Sequence, residues 1–154
     1  MNVLHLPAVV CAIVLATTTA RAETYGAPNC PMSSDKFHCQ RVFACISTET
    51  DRWFVGTVIG IKDSTISGNL NDGTICTGTI PGDDDFTRVA TLSCADGLEA
   101  EIVVMDPVKG AIGFPNGMGD TVNGGIVHWA SGYAVQDHID VQTGQLLMDD
   151  PCSH

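Results

Sequence analysis

Positively charged residues are scarce in this chain of 154 residues, which has seven lysines and arginines against 18 aspartates and glutamates. The formal net charge is −11 at pH 7. Proteins that bind nucleic acids or anionic membranes do so through clustered Lys and Arg side chains, so the shortage argues against both partners. An acidic surface fits solubility in an exported compartment, and it also fits a cationic protein as partner. The sequence leaves that choice open.

Recognisable catalytic motifs are also missing. The chain has no Gly-x-Ser-x-Gly segment, no glycine-rich nucleotide loop and no Cys-x-x-Cys pair. We therefore predict no catalytic residues, no cofactor and no structural metal. One acidic run, Asp83-Asp84-Asp85, offers oxygen ligands that suit calcium, but it lacks the alternating spacing that directs several ligands at one ion. We therefore favour a solvated acidic loop over a calcium site.

Histidines supply the remaining candidates for chemistry. His128 falls within a predicted strand, where a surface histidine needs no functional explanation. The segment Asp137-His138-x-Asp140 could form part of a metal site, but no further ligand stands at a recognisable spacing. If His128, His138 and Asp140 cluster in a cleft, they support a hypothesis that the chain is a hydrolase with an unrecognised site. Ser131 lies near them in sequence, but a serine after a strand is ordinary turn chemistry.

The first 22 residues have the pattern of a secretory signal peptide. The run from Val3 to Ala16 is largely apolar, and Ala20-Arg21-Ala22 provides a small-x-small cleavage site. This run is too short and too early for a membrane span, and no other segment is long and apolar enough. We predict cleavage near Ala22, a secreted or periplasmic location, and no membrane insertion.

Six cysteines follow the predicted cleavage site, and an even number in an exported chain indicates disulfide bonds. Each bond contributes about 2–4 kcal/mol to stability. We expect one bond to tie the C-terminal end of the chain back to the N-terminal cysteine cluster. The predicted disulfide cysteines are Cys30, Cys39, Cys45, Cys76, Cys94 and Cys152.

The turn Asn71-Asp72-Gly73 sets the register of the strands around it. Side chains alternate between the two faces of a strand, so the loop length decides which residues share a face. A three-residue loop pairs Gly68 with Cys76, and Gly73 then takes the left-handed conformation that such loops require. This register gathers the apolar residues on one face, which consists of Ile66, Leu70, Cys76 and Ile80.

Two further turns extend the same register. Ala95-Asp96-Gly97 as a three-residue loop, together with a connection centred near Asp85, sets Cys76 opposite Cys94, and we predict a disulfide between them. Glu99 and Glu101 then point to solvent. The third turn, Val122-Asn123-Gly124, sets Trp129 opposite Gly117 and Val127 opposite Gly119, so that small residues face large ones in the interior.

About eight short strands joined by tight turns predict an all-β fold. We expect an antiparallel meander that closes into a small disulfide-braced barrel, with a sandwich as the alternative, because closure or stacking protects the edge strands. On the second strand, Trp53, Val55, Thr57 and Ile59 share one face. The predicted divisions are a signal peptide at 1–22, an irregular segment at 23–41, the β domain at 42–131 and a C-terminal tail at 132–154 held by Cys152.

Three functions are compatible with these features. The first is an exported, non-enzymatic binding or accessory domain. The second is an acidic inhibitor of a cationic extracytoplasmic enzyme such as lysozyme. The segment Trp129-Ala130-Ser131-Gly132-Tyr133 resembles the Trp-containing segment of small periplasmic lysozyme-inhibitor barrels. It departs from their Ser-Gly-x-x-Tyr spacing, because Tyr133 follows Gly132 directly. That resemblance implies a barrel with an exposed inhibitory loop. The third is the hydrolase described above.

Overall fold

The computed structural model describes residue 30 and the ranges 39–48, 50–60, 63–82, 87–105, 116–140 and 145–152. The predicted signal peptide, most of the irregular segment at 23–41 and the acidic run Asp83–Asp85 lie outside these residues. The one helix among them is a short 3-10 helix, and no helix of the described chain is long and apolar enough to cross a membrane.

Eight antiparallel strands form a closed barrel in which each strand pairs with its neighbours in sequence. Pairing of the first strand with the last closes the barrel, which confirms the meander and rules out the sandwich. The strands are β1 (Gln40–Ser47), β2 (Arg52–Ile59), β3 (Ser64–Leu70), β4 (Ile75–Ile80), β5 (Thr87–Cys94), β6 (Glu99–Met105), β7 (Asn116–Thr121) and β8 (Ile126–Ser131).

The strand register agrees with the pairing expected from the turns. Gly68 lies opposite Cys76, Cys76 opposite Cys94 and Trp129 opposite Gly117. The glycines of the three turns have positive φ angles, namely 86° at position 73, 88° at position 97 and 84° at position 124. Because glycine has no Cβ, it adopts this conformation without strain, and each loop can close after three residues.

The inside of the barrel is filled with side chains, as the narrow interior of an eight-stranded barrel allows. Phe54 and Trp129 are the largest of these side chains. A Cβ atom added to Gly56 would lie 2.5 Å from Phe54 Cζ, and one added to Gly68 would lie 2.7 Å from Phe54 Cε2. The two glycines therefore make room for the Phe54 ring. The predicted buried face of β3 and β4 lies inside as well.

Three disulfide bonds brace the barrel. Cys76 and Cys94 are joined across β4 and β5, on the inner face, as the register predicts. Cys45 in β1 is bonded to Cys152, so the C-terminal end of the chain is tied back as expected. The third bond joins Cys30 to Cys39, immediately before β1.

The C-terminal tail packs against the outside of the barrel. After β8 the chain forms the 3-10 helix Gly132–Asp137, and a single bridge then pairs Ile139 with Leu146. Val135 and Ile139 are fully buried in a second apolar cluster with Phe43, Val55 and Ala130, which point outward from β1, β2 and β8. The predicted face of β2 thus belongs to the outer surface, where the tail buries Val55, while Phe54 and Val58 point inward.

Candidate functional site

His128 and Ser131 do not form a catalytic pair. Both lie in β8, but they are three residues apart, so their side chains point to opposite faces of the strand. His128 is exposed on the outer surface. Ser131 is buried and lies opposite Val42, whose side chain is in the interior. A nucleophile and its base must lie within hydrogen-bond reach, and this arrangement prevents it.

His138 belongs to the tail and has a packing role. Its ring stacks on Phe43 with 4.4 Å between the ring centroids and 13° between the ring planes. Asp140 is half-buried, and its backbone N–H donates to the carbonyl of Gln145. Within the described ranges, no group of three or more His, Cys, Asp or Glu side chains is arranged to hold a metal ion. The possible calcium ligands Asp83–Asp85 lie outside those ranges.

The segment that resembles the lysozyme inhibitors is buried rather than presented as a loop. Trp129 and Ser131 are 3% and 2% exposed, and Ala130 belongs to the cluster beneath the tail. Gly132 is also buried. In this structure, contact with an enzyme through residues 129–132 would require the tail and β8 to move.

The outer surface of β3, β4 and β5 carries a regular array of exposed hydroxyl groups, which we call the hydroxyl face. Neighbouring members of this array pair directly across the strands, and the hydroxyl oxygens of Thr79 and Thr91 lie 3.2 Å apart. A shallow open groove of about 710 Å³ runs over this surface and ends at Glu99 and Glu101. The hydroxyl face consists of Thr65, Ser67, Thr77, Thr79, Thr91 and Ser93.

The outer surface of β5 to β8 is apolar instead, and we call it the aliphatic face. Val89 lies opposite Val103, and Val103 lies opposite Met118, so three neighbouring strands present aliphatic side chains in one row. An open groove of about 540 Å³ lies along this row. The aliphatic face consists of Val89, Val103, Met105, Met118, Val122 and Ile126, whose exposed fractions run from 44% to 73%.

Two carboxylates meet at the edge of the aliphatic face. Glu101 in β6 lies directly opposite Asp120 in β7, and both side chains are exposed. Like charges in directly opposed positions of an antiparallel pair repel each other. Next to them in the same row are Thr91 on one side and Ile126 on the other, neither of which carries a neutralising charge. Glu101 lines both the aliphatic and the hydroxyl groove.

Negative charge dominates the described part of the chain, which contains eleven acidic residues and three arginines. Arg41 is buried and Arg88 is half-buried. Arg52 donates to Asp72 and Asp96 at 2.7 Å each, and so joins three turns at one end of the barrel. None of the three arginines lines the aliphatic groove, and the carboxylates there face solvent as a net negative patch.

Hydrogen bonds and ion pairs hold these turns in shape. Hydrogen bonds from Thr74, followed by the contact with Arg52, lower the pKa of Asp72 to about 2. Arg52 and then the backbone N–H of Leu98 lower the pKa of Asp96. Both carboxylates are satisfied within the fold, in contrast to Glu101 and Asp120, so the turn aspartates are structural groups.

Sequence reasoning overlooked the aliphatic face, although the register contains its signal. Val103 and Met105 lie an even number of residues after Glu99 and Glu101 on β6, so their side chains point to the same side of the strand. That side was expected to face solvent. The same alternation places two aliphatic side chains outside the barrel.

The chain matches no protein-family model, no curated protein and no solved structure.

Proposed function

We propose that this protein is an exported, non-enzymatic binding domain whose partner is a cationic protein. The observation that carries the proposal is the charge of the uncovered surface. Glu99, Glu101 and Asp120 are exposed on the outward side of β6 and β7, while the described arginines are buried, half-buried or bound to aspartates of the turns. Oppositely charged surfaces attract each other over distances comparable to the Debye length, which raises association rates.

The filled barrel supports binding at the outer surface. Phe54, Trp129 and the smaller aliphatic residues occupy the interior, so a ligand cavity of the kind found in larger barrels does not open between the described strands. The three disulfides are compatible with an oxidising compartment outside the cytoplasm. Secretion after cleavage near Ala22 is part of the proposal.

The experiment uses the oxidised chain beginning at Glu23 and immobilised on beads. It is incubated with an extracytoplasmic extract of its source at low ionic strength and eluted with a salt gradient, and the retained proteins are identified by mass spectrometry. We expect basic proteins, released at moderate salt because the attraction between exposed charges is screened. Retention of acidic and basic proteins alike, or of none, contradicts the proposal.

Inhibition of a cationic enzyme is a special case of this function. The same acidic surface favours it, and lysozyme is a suitable test enzyme because it is cationic. The assay measures lysozyme activity with increasing amounts of the protein. A loss of activity that disappears at high salt supports inhibition through the acidic surface, and unchanged activity at large excess excludes lysozyme as a target.

A further inference from the structure

We propose that the aliphatic face and the Glu101–Asp120 pair together form the docking surface for the cationic protein. In this arrangement the partner covers Val103 and Met118 with apolar side chains and places a Lys or Arg between the two carboxylates. The inference rests on the proposed function, to which it adds the location of the surface and the chemistry of the contact.

The first argument is the continuity of the apolar surface. Isolated exposed aliphatic residues are normal in soluble proteins, but contiguous ones indicate an interaction site. Val89, Val103 and Met118 occupy directly paired positions on three neighbouring strands. The tail covers the corresponding outward surface of β1, β2 and β8, whereas no described segment of the chain covers this row.

The second argument is the unrelieved repulsion between Glu101 and Asp120. A directly opposed pair contributes roughly 0.2–1 kcal/mol, and the sign is unfavourable when both charges are negative. A partner cation between the carboxylates removes the repulsion and adds charge-assisted hydrogen bonds. Apolar contacts at Val103 and Met118 would exclude water beside this ion pair, which strengthens the attraction.

A second copy of the same chain is a poorer occupant. In a two-fold symmetric dimer the same patch of each copy meets the other, so the two Glu101–Asp120 pairs would approach each other. Four carboxylates would then lie in one interface without a described cation to neutralise them. The charge of the patch therefore selects a partner of opposite sign.

The hydroxyl face is also a poorer docking surface, despite its larger groove. Methionine is enriched at protein interfaces, whereas serine, threonine and valine are all under-represented among the residues that dominate binding energy, so Met118 is what distinguishes the two faces. Met118 and Val103 offer more apolar area to desolvate than Thr77 or Thr91. We therefore place the centre of the interface on the aliphatic face and the hydroxyl face beyond its edge.

The test measures how strongly each variant binds two samples. One is the basic protein fraction of the extract, and the other is purified lysozyme. The double variant Val103→Ser, Met118→Ser removes the apolar contacts. The double variant Glu101→Gln, Asp120→Asn removes the charges. Each double variant is expected to weaken binding of the retained basic protein about tenfold or more. The controls are Leu147→Ser and Asp137→Asn, which change an exposed apolar and an exposed acidic residue of the tail. They are expected to bind as the unaltered protein does.

Methionine oxidation provides a second readout that needs no variant. Met118 and Met105 are 57% and 53% exposed on the aliphatic face, and Met148 lies half-buried in the tail. Brief treatment with hydroxyl radicals, followed by mass spectrometry, measures the oxidation of each methionine in the free and in the bound protein. We expect the partner to protect Met118 and Met105 and to leave Met148 unchanged.

The possible results separate the two proposals. Selective weakening in the double variants with protection of Met118 supports the docking surface. If the unaltered protein retains a basic protein but the tail controls weaken binding equally, or Met118 stays unprotected, the docking surface is wrong and the proposed function stands. If the unaltered protein retains no basic protein, the proposed function fails and this inference fails with it.

Discussion

Removal of the Cys45–Cys152 bond is expected to be the more damaging of two disulfide deletions outside the barrel. The bond joins residues 107 positions apart, and it limits the unfolded chain far more than a short loop does. Loop-closure entropy for that separation corresponds to about 4.8 kcal/mol at 25 °C. The Cys76–Cys94 bond lies within the same loop and shortens it, which lowers the value only to about 4.6 kcal/mol. The double variant Cys45→Ala, Cys152→Ala should therefore lose about 4.6 kcal/mol of unfolding free energy.

The matched comparison is the double variant Cys30→Ala, Cys39→Ala, which removes the short-range bond. This bond closes a separation of nine residues, for which the same relation gives about 2.6 kcal/mol. Unfolding in guanidinium chloride without reductant, followed by tryptophan fluorescence, gives the free energy of unfolding by linear extrapolation. We expect the long-range deletion to cost about 2 kcal/mol more than the short-range one. Equal losses, or a larger loss for the Cys30 variant, would refute the argument from chain entropy.

Three further changes test the packing and the charges of the fold. Gly119→Ala should destabilise the barrel by about 3 kcal/mol in thermal unfolding, because the added Cβ would lie 2.6 Å from Ile102 Cα and closer still to a backbone oxygen. Trp129→Phe should cost about 1–2 kcal/mol in the same assay, because the smaller ring leaves a cavity while the buried indole Nε1 has no hydrogen-bond partner in the described structure to lose; no measurable loss would contradict tight packing around Trp129. Folding lowers the pKa of Asp72 from 3.8 to about 2, so the unfolded chain takes up this proton first as the pH falls. The stability that Asp72 contributes is present above pH 4 and is lost toward pH 2, and denaturation of Asp72→Asn over that range should show a weaker pH dependence.

Parity was enough to predict the hairpins because each turn contains a glycine at the position that must be left-handed. Once Gly73 and Gly97 fix the loop lengths, the alternation of side chains decides which residues meet, and the Cys76–Cys94 bond follows. The same parity could not tell which face of β2 lies inside, since both faces carry apolar residues. Val55 is buried only because the tail, tied at Cys152, returns across the outside of the barrel.

The candidate site was harder to predict for a related reason. The register predicts that Val103 and Met118 point outward. Whether they remain exposed depends on which strands the tail covers on their outward side. That arrangement results from contacts between residues about 100 positions apart, such as Cys45 and Cys152. The cysteine pattern predicted that the tail is tied back, but it did not predict which outward surface the tail crosses, so the sequence did not show that the described tail leaves Val103 and Met118 exposed.

Folding of the barrel does not require aliphatic side chains on the outer surface of β5 to β7. The interior is filled by other residues, and on the neighbouring hydroxyl face Thr79 and Thr91 occupy paired outward positions with their hydroxyl groups in contact. Threonine suits a strand as well as valine does, because both are β-branched. Solubility in turn favours hydroxyl groups over Val103 and Met118, which expose apolar area to water. Cross-strand packing of Val89 on Val103 contributes only roughly 0.2–1 kcal/mol, and it does not account for the opposed carboxylates beside the row. The proposed partner, which brings positive charge and apolar side chains, accounts for both features at once.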